Sequence, residues 1–152
     1  MEKKIKGADA YYAIGWSKPF EYNRITASRI LPDLPGILFF SDNSKGAMKP
    51  LLAFATWREG LRTGMRDLFD DMFSKCKPIM PYAEKKGLIY RYTVIDSTKL
   101  DLRDVFYWVL RSYNPVLNTI KGVTPTSRYG NIYVIERENA GNADNIRLPG
   151  SF

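Results

Sequence analysis

Pro35-Gly36-Ile37-Leu38-Phe39-Phe40, a polar turn over Ser41–Pro50, and Leu51-Leu52-Ala53-Phe54-Ala55-Thr56-Trp57 running into Arg58 decide the fold. Short apolar runs separated by Gly and Pro are strand signals, so the two runs predict a β-hairpin. Beyond them, apolar residues recur at Leu61, Met65, Leu68, Phe69 and Met72, a spacing that lines one face of a helix. Thr56 with Glu59 matches a capping box and predicts that helix over about Trp57–Phe73. Gly60 in its first turn weakens the start by roughly 1 kcal/mol, which allows a start near Leu61 instead.

Outward from this core, Ser74–Gly87 has prolines and no period and predicts a loop. Leu88–Ile95 is rich in β-branched and aromatic residues and predicts a third strand. Asp96-Ser97-Thr98 offers caps for a second helix carrying Leu102, Val105, Phe106, Val109, Leu110 and Tyr113 on one face. Asn114-Pro115 stops it. Asn131–Arg137 predicts a fourth strand, and the polar remainder, Glu138–Phe152, a loose surface segment. Upstream, residues 1–10 predict a frayed start and Tyr11–Trp16 an edge strand. Asn23–Arg29 predicts a short helix ending before Pro32. The expected fold is a single α+β domain over 1–152. Its small central sheet, mixed or antiparallel, has three or more strands flanked by two main helices, with an N-terminal lead-in and a C-terminal extra strand.

Composition narrows the chemistry. There is no histidine and one cysteine, Cys76. That excludes Ser-His-Asp and Cys-His catalysis, an internal disulfide, and a Cys/His zinc site. No run approaches the roughly 18 apolar residues of a membrane span, and the charged start lacks a signal-peptide core. The expected setting is cytoplasmic, with no cofactor, no metal and no membrane partner. A net charge of +7 with a pI near 9.5 favours an anionic partner.

The pieces together resemble the GIY-YIG nuclease domain over roughly 16–118. Pro35-Gly36-Ile37-Leu38 matches its Gly-Ile-Tyr strand, and Gly60-Leu61-Arg62 its helix opening. Tyr113-Asn114-Pro115-Val116-Leu117-Asn118 is similar to its closing Pro-x-x-Asn segment, and Trp16, Pro19-Phe20 and Ile25 to the lead-in of some small members. The resemblance leaves 119–152 as a C-terminal extension. It also implies a metal-dependent nuclease site, yet this chain lacks that site's groups position by position. The two tyrosines fall on Leu38 and Phe54, the second motif's glycine on Thr56, the catalytic arginine on Gly64 and the metal-binding glutamate on Phe106. Only Asn118 is retained. Arg62 and Arg66 flank Gly64, and Asp104 precedes Phe106, each by two residues, which is about 200° around a helix and therefore the wrong face.

No catalytic residue is therefore assigned. The candidate nucleic-acid contacts are Arg58, Arg62 and Arg66, four residues apart on the main helix, with Lys75 and Lys77 beyond it and Asn118. Glu59, Asp67, Asp70 and Asp71 in the same segment offer the competing reading of a neutralised, solvated face. Lys85 and Lys86 read the same two ways. Tyr11, Tyr12, Trp16, Phe20 and Tyr22 are either base-stacking platforms or sheet packing, and Tyr90 and Tyr92 suit cross-strand packing. The carboxylate pairs Asp70-Asp71 and Asp101/Asp104 read as helix-surface charge. Cys76 lies between two lysines, which favours its thiolate.

Three functions compete on these residues. One is a catalytically inactive GIY-YIG-like domain that binds DNA or RNA through the basic helix face. The alternative is a protein-interaction or structural module. The third is a divergent metal-dependent endonuclease.

Overall fold

The computed structural model describes residues 1–138, which form an α+β fold with two sheets. The elements are β1 (Glu2–Lys6), β2 (Asp9–Trp16), β3 (Phe20–Glu21), α1 (Arg24–Ile30), β4 (Gly36–Asp42) and β5 (Lys49–Thr56). They continue with α2 (Gly60–Leu68), a 3-10 turn (Lys77–Ile79), α3 (Met80–Ala83), β6 (Leu88–Val94), α4 (Lys99–Tyr113) and β7 (Asn131–Glu138). The expected hairpin is β4–β5. With β6 and β3 it makes an antiparallel sheet ordered β3-β6-β4-β5. Gly36 opens β4 because β6 crowds it: a Cβ there would lie 2.1 Å from the Thr93 carbonyl oxygen. That is far inside contact distance, so only glycine fits.

The main helix differs from its expected span at both ends. It begins at Gly60, whose φ of +76° is a left-handed value. Thr56 is the last residue of β5, and its buried hydroxyl has no hydrogen-bond partner among the described residues, so no capping box forms. Leu34 supplies an acceptor instead, taking the Leu61 amide at 2.9 Å. The helix stops at Leu68, and Asp70 Oδ1 then accepts the Met72 and Phe73 amides at 2.9 and 2.6 Å. This local side-chain turn competes with helix continuation. It leaves Met72 75% and Phe73 77% exposed, so Met72 does not face the core as its spacing suggested.

Other expectations divide. The second helix, α4, is capped by Thr98, whose hydroxyl accepts the Asp101 amide, and it ends at left-handed Asn114. The short helix α1 is capped by Asn23. The segment expected as a plain loop, Ser74–Gly87, folds into the 3-10 turn and α3, which seat buried Ile79. The frayed start is in fact β1, and Tyr11–Trp16 lies inside β2, the central strand of a second sheet ordered β1-β2-β7. There β7 runs parallel to β2, from Asp9↔Asn131 to Trp16↔Glu138. Of the segment expected to be loose, Glu138–Phe152, Glu138 is instead the last residue of β7, and residues 139–152 fall outside the described residues.

Two cores result. Leu61, Met65 and Leu68 of α2 pack with Leu38, Phe40 and Tyr90 on one side of the four-stranded sheet. Val105, Trp108 and Val109 of α4 pack with Ile37 and Phe39 from the other side, and with Tyr12, Ile14 and Val134 of the second sheet. Ser17 links the sheets: its amide donates to the Tyr92 carbonyl at 2.8 Å, and its hydroxyl accepts the Tyr92 amide at 3.0 Å.

Candidate nucleic-acid interface

The residues aligned with the nuclease positions meet in part. Leu38 and Phe54 are cross-strand partners in the β4–β5 hairpin. Gly64 on α2 lies over the end of β5, where a Cβ would be 3.4 Å from Phe54 Cε1 and 2.2 Å from Thr56 Cγ2. Leu38, Phe54 and Gly64 offer no group able to move a proton, and the Thr56 hydroxyl beside them is buried with no hydrogen-bond partner among the described residues. Phe106 packs with the core on the opposite side of the sheet. Asn118 is committed to the backbone: Oδ1 accepts the Ala53 amide at 2.8 Å and Nδ2 donates to the Ala53 carbonyl at 2.9 Å. Both ends of its amide thus hold strand β5, so Asn118 is a fastener of the hairpin rather than a free contact.

The basic residues are arranged differently from a three-residue helical stripe. Arg58 precedes α2 and is exposed. Arg62 and Arg66 lie one turn apart on the helix and share a face. Arg66 is exposed and donates to Thr63 Oγ1 at 3.2 Å. Half-buried Arg62 uses Nε to bond the Leu31 carbonyl at 3.2 Å, at the end of α1. Lys75 pairs with Asp67 at 3.6 Å, whereas exposed Lys77 has no ion pair among the described residues.

The neighbouring acids decide the field. Asp67 is engaged by Lys75, and Asp71 lies 3.6 Å from Arg24. Asp70 accepts two backbone amides. None of the three pairs with Arg58, Arg62 or Arg66. Over residues 1–150 the chain matches a protein-family model described as "Uncharacterised protein". The chain belongs to that family. No curated protein and no solved structure matches it.

The one charged cluster that the sequence misplaced is buried. Asp101 and Asp104 are 1% and 0% exposed, not surface charges. Arg128 reaches both, at 2.9 and 2.8 Å. Asp101 also accepts from Lys3 at 2.7 Å, Tyr12 at 2.9 Å and Ser97. Asp104 accepts the amide and hydroxyl of Thr126 at 2.7 and 2.8 Å. Burial opposes ionisation of Asp101, but the bonds from Lys3, Ser97, Arg128 and Tyr12 outweigh it and hold the carboxyl well below its ordinary 3.8. A signal for this was present. Residues 101, 104, 105 and 108 follow the three-four-seven spacing of one helix face, so the carboxylates share the arc of Val105 and Trp108. Every oxygen here is bonded by protein, and among the described residues no group of three or more Asp, Glu or Cys side chains is placed to hold a metal.

The tyrosines and Cys76 also fall into packing roles. Tyr11 stacks on Tyr133, Phe20 on Tyr90 and Tyr22 on Phe69, while Tyr12 and Trp16 are fully buried. Burial pushes the Cys76 thiol above its ordinary value, against the expectation from its lysine neighbours. No helix of the described residues is long and apolar enough to cross a membrane.

Proposed function

We propose that this chain is a nucleic-acid-binding protein of GIY-YIG-like descent that has lost the catalytic groups of that family. Arg58, Arg62 and Arg66 contact the phosphate backbone of DNA or RNA, with Lys77 at the edge, in a cytoplasmic setting. The observation that carries this reading is that no carboxylate, Glu59 included, forms an ion pair with Arg58, Arg62 or Arg66 among the described residues. Asp67, Asp70 and Asp71, which could have neutralised the arginines, are engaged by Lys75, by backbone amides and by Arg24. Arginines left without a carboxylate keep their donors for phosphate oxygens, a contact independent of sequence and sensitive to salt.

The test is binding to mixed-sequence DNA and RNA by fluorescence anisotropy across a salt series, with wild type and Arg58→Ala/Arg66→Ala. Both arginines are exposed, so the variant isolates the surface charge. The log–log salt slope should fall by about two units, one per lost phosphate contact, and by the same amount for every sequence. Absence of binding by wild type at low salt would defeat the proposal.

A protein-interaction role is favoured by one observation, the adjacent Met72 and Phe73, 75% and 77% exposed. Two neighbouring apolar side chains this far into solvent make a small contiguous patch, the kind of surface that protein contacts use. In that reading Met72→Ser/Phe73→Ser abolishes partner capture while the salt series shows nothing.

A further inference from the structure

A cavity of about 280 Å³ opens at the end of the four-stranded sheet where α4 terminates, and none of its lining residues belongs to α2. Phe39 and Arg91 are cross-strand partners in its lining, and Ser41 and Ile89 are the next lining pair of the same register but one. Met48 and Pro50 add apolar wall, and Tyr113 adds a hydroxyl.

Arg91 is held there by rings. Its guanidinium carbon lies 4.5 Å from the Trp16 ring centroid, 5.2 Å from that of Phe39 and 5.5 Å from that of Tyr113. Such cation–π contacts fix the plane of the group without using its N–H donors. Arg91 donates to Tyr113 Oη at 3.1 Å. That hydroxyl donates onward to Glu136 at 2.7 Å, and Glu136 also accepts the Trp16 indole N–H at 2.8 Å. The nearest buried carboxylate is thus reached only through a phenol, and Arg91 forms no ion pair among the described residues. A guanidinium carries five N–H donors in a planar fork that matches a carboxylate, and this one, half-buried, has donors to spare.

We propose that the cavity binds a small organic carboxylate. Its head group lies on the Arg91 guanidinium, and its apolar body lies along Phe39, Met48 and Pro50. Glu138, also in the lining, sets a repulsive rim that restricts the site to weak or transient occupancy by an anion.

The experiment is an NMR titration of the full chain that follows the Trp16 indole N–H, with benzoate, its neutral counterpart benzamide, and phenyl phosphate as probes. Benzoate should shift the signal saturably and bind at least tenfold more tightly than benzamide. Arg91→Gln should lose that preference, and Glu138→Gln should tighten benzoate a few-fold by removing the rim charge. Equal binding of benzoate and benzamide by wild type overturns the site even if the Arg91 variant does not fold. So does the lack of any saturable shift by about 50 mM, a concentration at which even millimolar affinity saturates. Phenyl phosphate binding more tightly than benzoate, or Glu138→Gln weakening benzoate, overturns the carboxylate assignment.

Discussion

Thr56 and Gly64 exclude each other's larger side chains: a Cβ on Gly64 would stand 2.2 Å from Thr56 Cγ2. The GIY-YIG resemblance implies a glycine at the first position and an arginine at the second, where this chain has threonine and glycine. The absence of a side chain on Gly64 lets the helix close onto the strand at Thr56.

The first prediction is a coupled pair. Gly64→Ala gains roughly 1 kcal/mol of helix propensity, but pushing a methyl into Thr56 costs about 1–3 kcal/mol of overpacking. The clash should win, lowering stability in urea denaturation. Thr56→Ser removes the offending Cγ2, so Gly64→Ala/Thr56→Ser should be more stable than Gly64→Ala alone. A double-mutant cycle with coupling below about 0.5 kcal/mol would mean that the two sites are independent.

The second prediction concerns Asp101, buried against Arg128 and Lys3. Breaking a buried pair by removing one partner costs about 3–5 kcal/mol. Asp101→Asn should therefore lower Tm by roughly 6–20 °C at neutral pH, at about 2–4 °C per kcal/mol for a chain of this size. The carboxyl's folded pKa lies below its ordinary 3.8. Its contribution is thus fully present above that value and is lost as pH falls through the folded pKa. The gap between wild type and variant in calorimetry should be constant from pH 7 to about 5 and narrow below about 4. A constant gap down to pH 2 would separate the loss from the charge.

At the alkaline end Tyr90 gives the third prediction. It is fully buried, and its hydroxyl has no hydrogen-bond partner among the described residues. Burial first, with Tyr92 and Tyr22 nearby, pushes its pKa from 10.0 up to about 12. The raised value means that Tyr90 leaves stability independent of pH below about 10 and lowers it as pH rises from 10 through about 12, where the buried phenol must ionise. Tyr90→Phe deletes a polar group without a partner, so it should leave neutral-pH stability equal or raise it by about 1 kcal/mol. It should also flatten the decline between pH 10 and 12. A loss of several kcal/mol at pH 7 would reveal a partner for that hydroxyl.

The arginines divide in the fourth prediction. Arg62 bonds the Leu31 carbonyl, so Arg62→Ala should cost about 1 kcal/mol of stability and weaken nucleic-acid binding. Arg58→Ala and Arg66→Ala, both at exposed positions, should change stability by less than about 0.5 kcal/mol while weakening binding as much. Thermal melts paired with anisotropy check this, and equal melts for all three would remove Arg62's structural role.

Sequence alone determined the hairpin at Gly36–Thr56, the strand at Leu88, and α4 with its stop at Asn114, and it confined the cap of α4 to Asp96, Ser97 or Thr98, of which the structure uses Thr98. It also showed no proton-moving side chain at Leu38, Phe54, Gly64 and Phe106. These follow from signals that act within a few residues: side-chain period, capping, and the identity of single positions. It misjudged the end of α2, where the Asp70 turn competes with an apolar period that continues to Met72. Tertiary structure alone decided which charges are free. Arg128 lies 24 residues from Asp104, and Trp16 lies 120 from Glu136, so no local pattern joins them. Helical spacing puts Asp101 and Asp104 on the buried arc, but only the packing of β1, β2 and the 124–128 segment over that arc supplies the cations and hydroxyls that let carboxylates stay there. The same holds for the acids beside α2 and for Arg91: whether a charge meets its counter-charge depends on chain crossings that composition and periodicity do not encode.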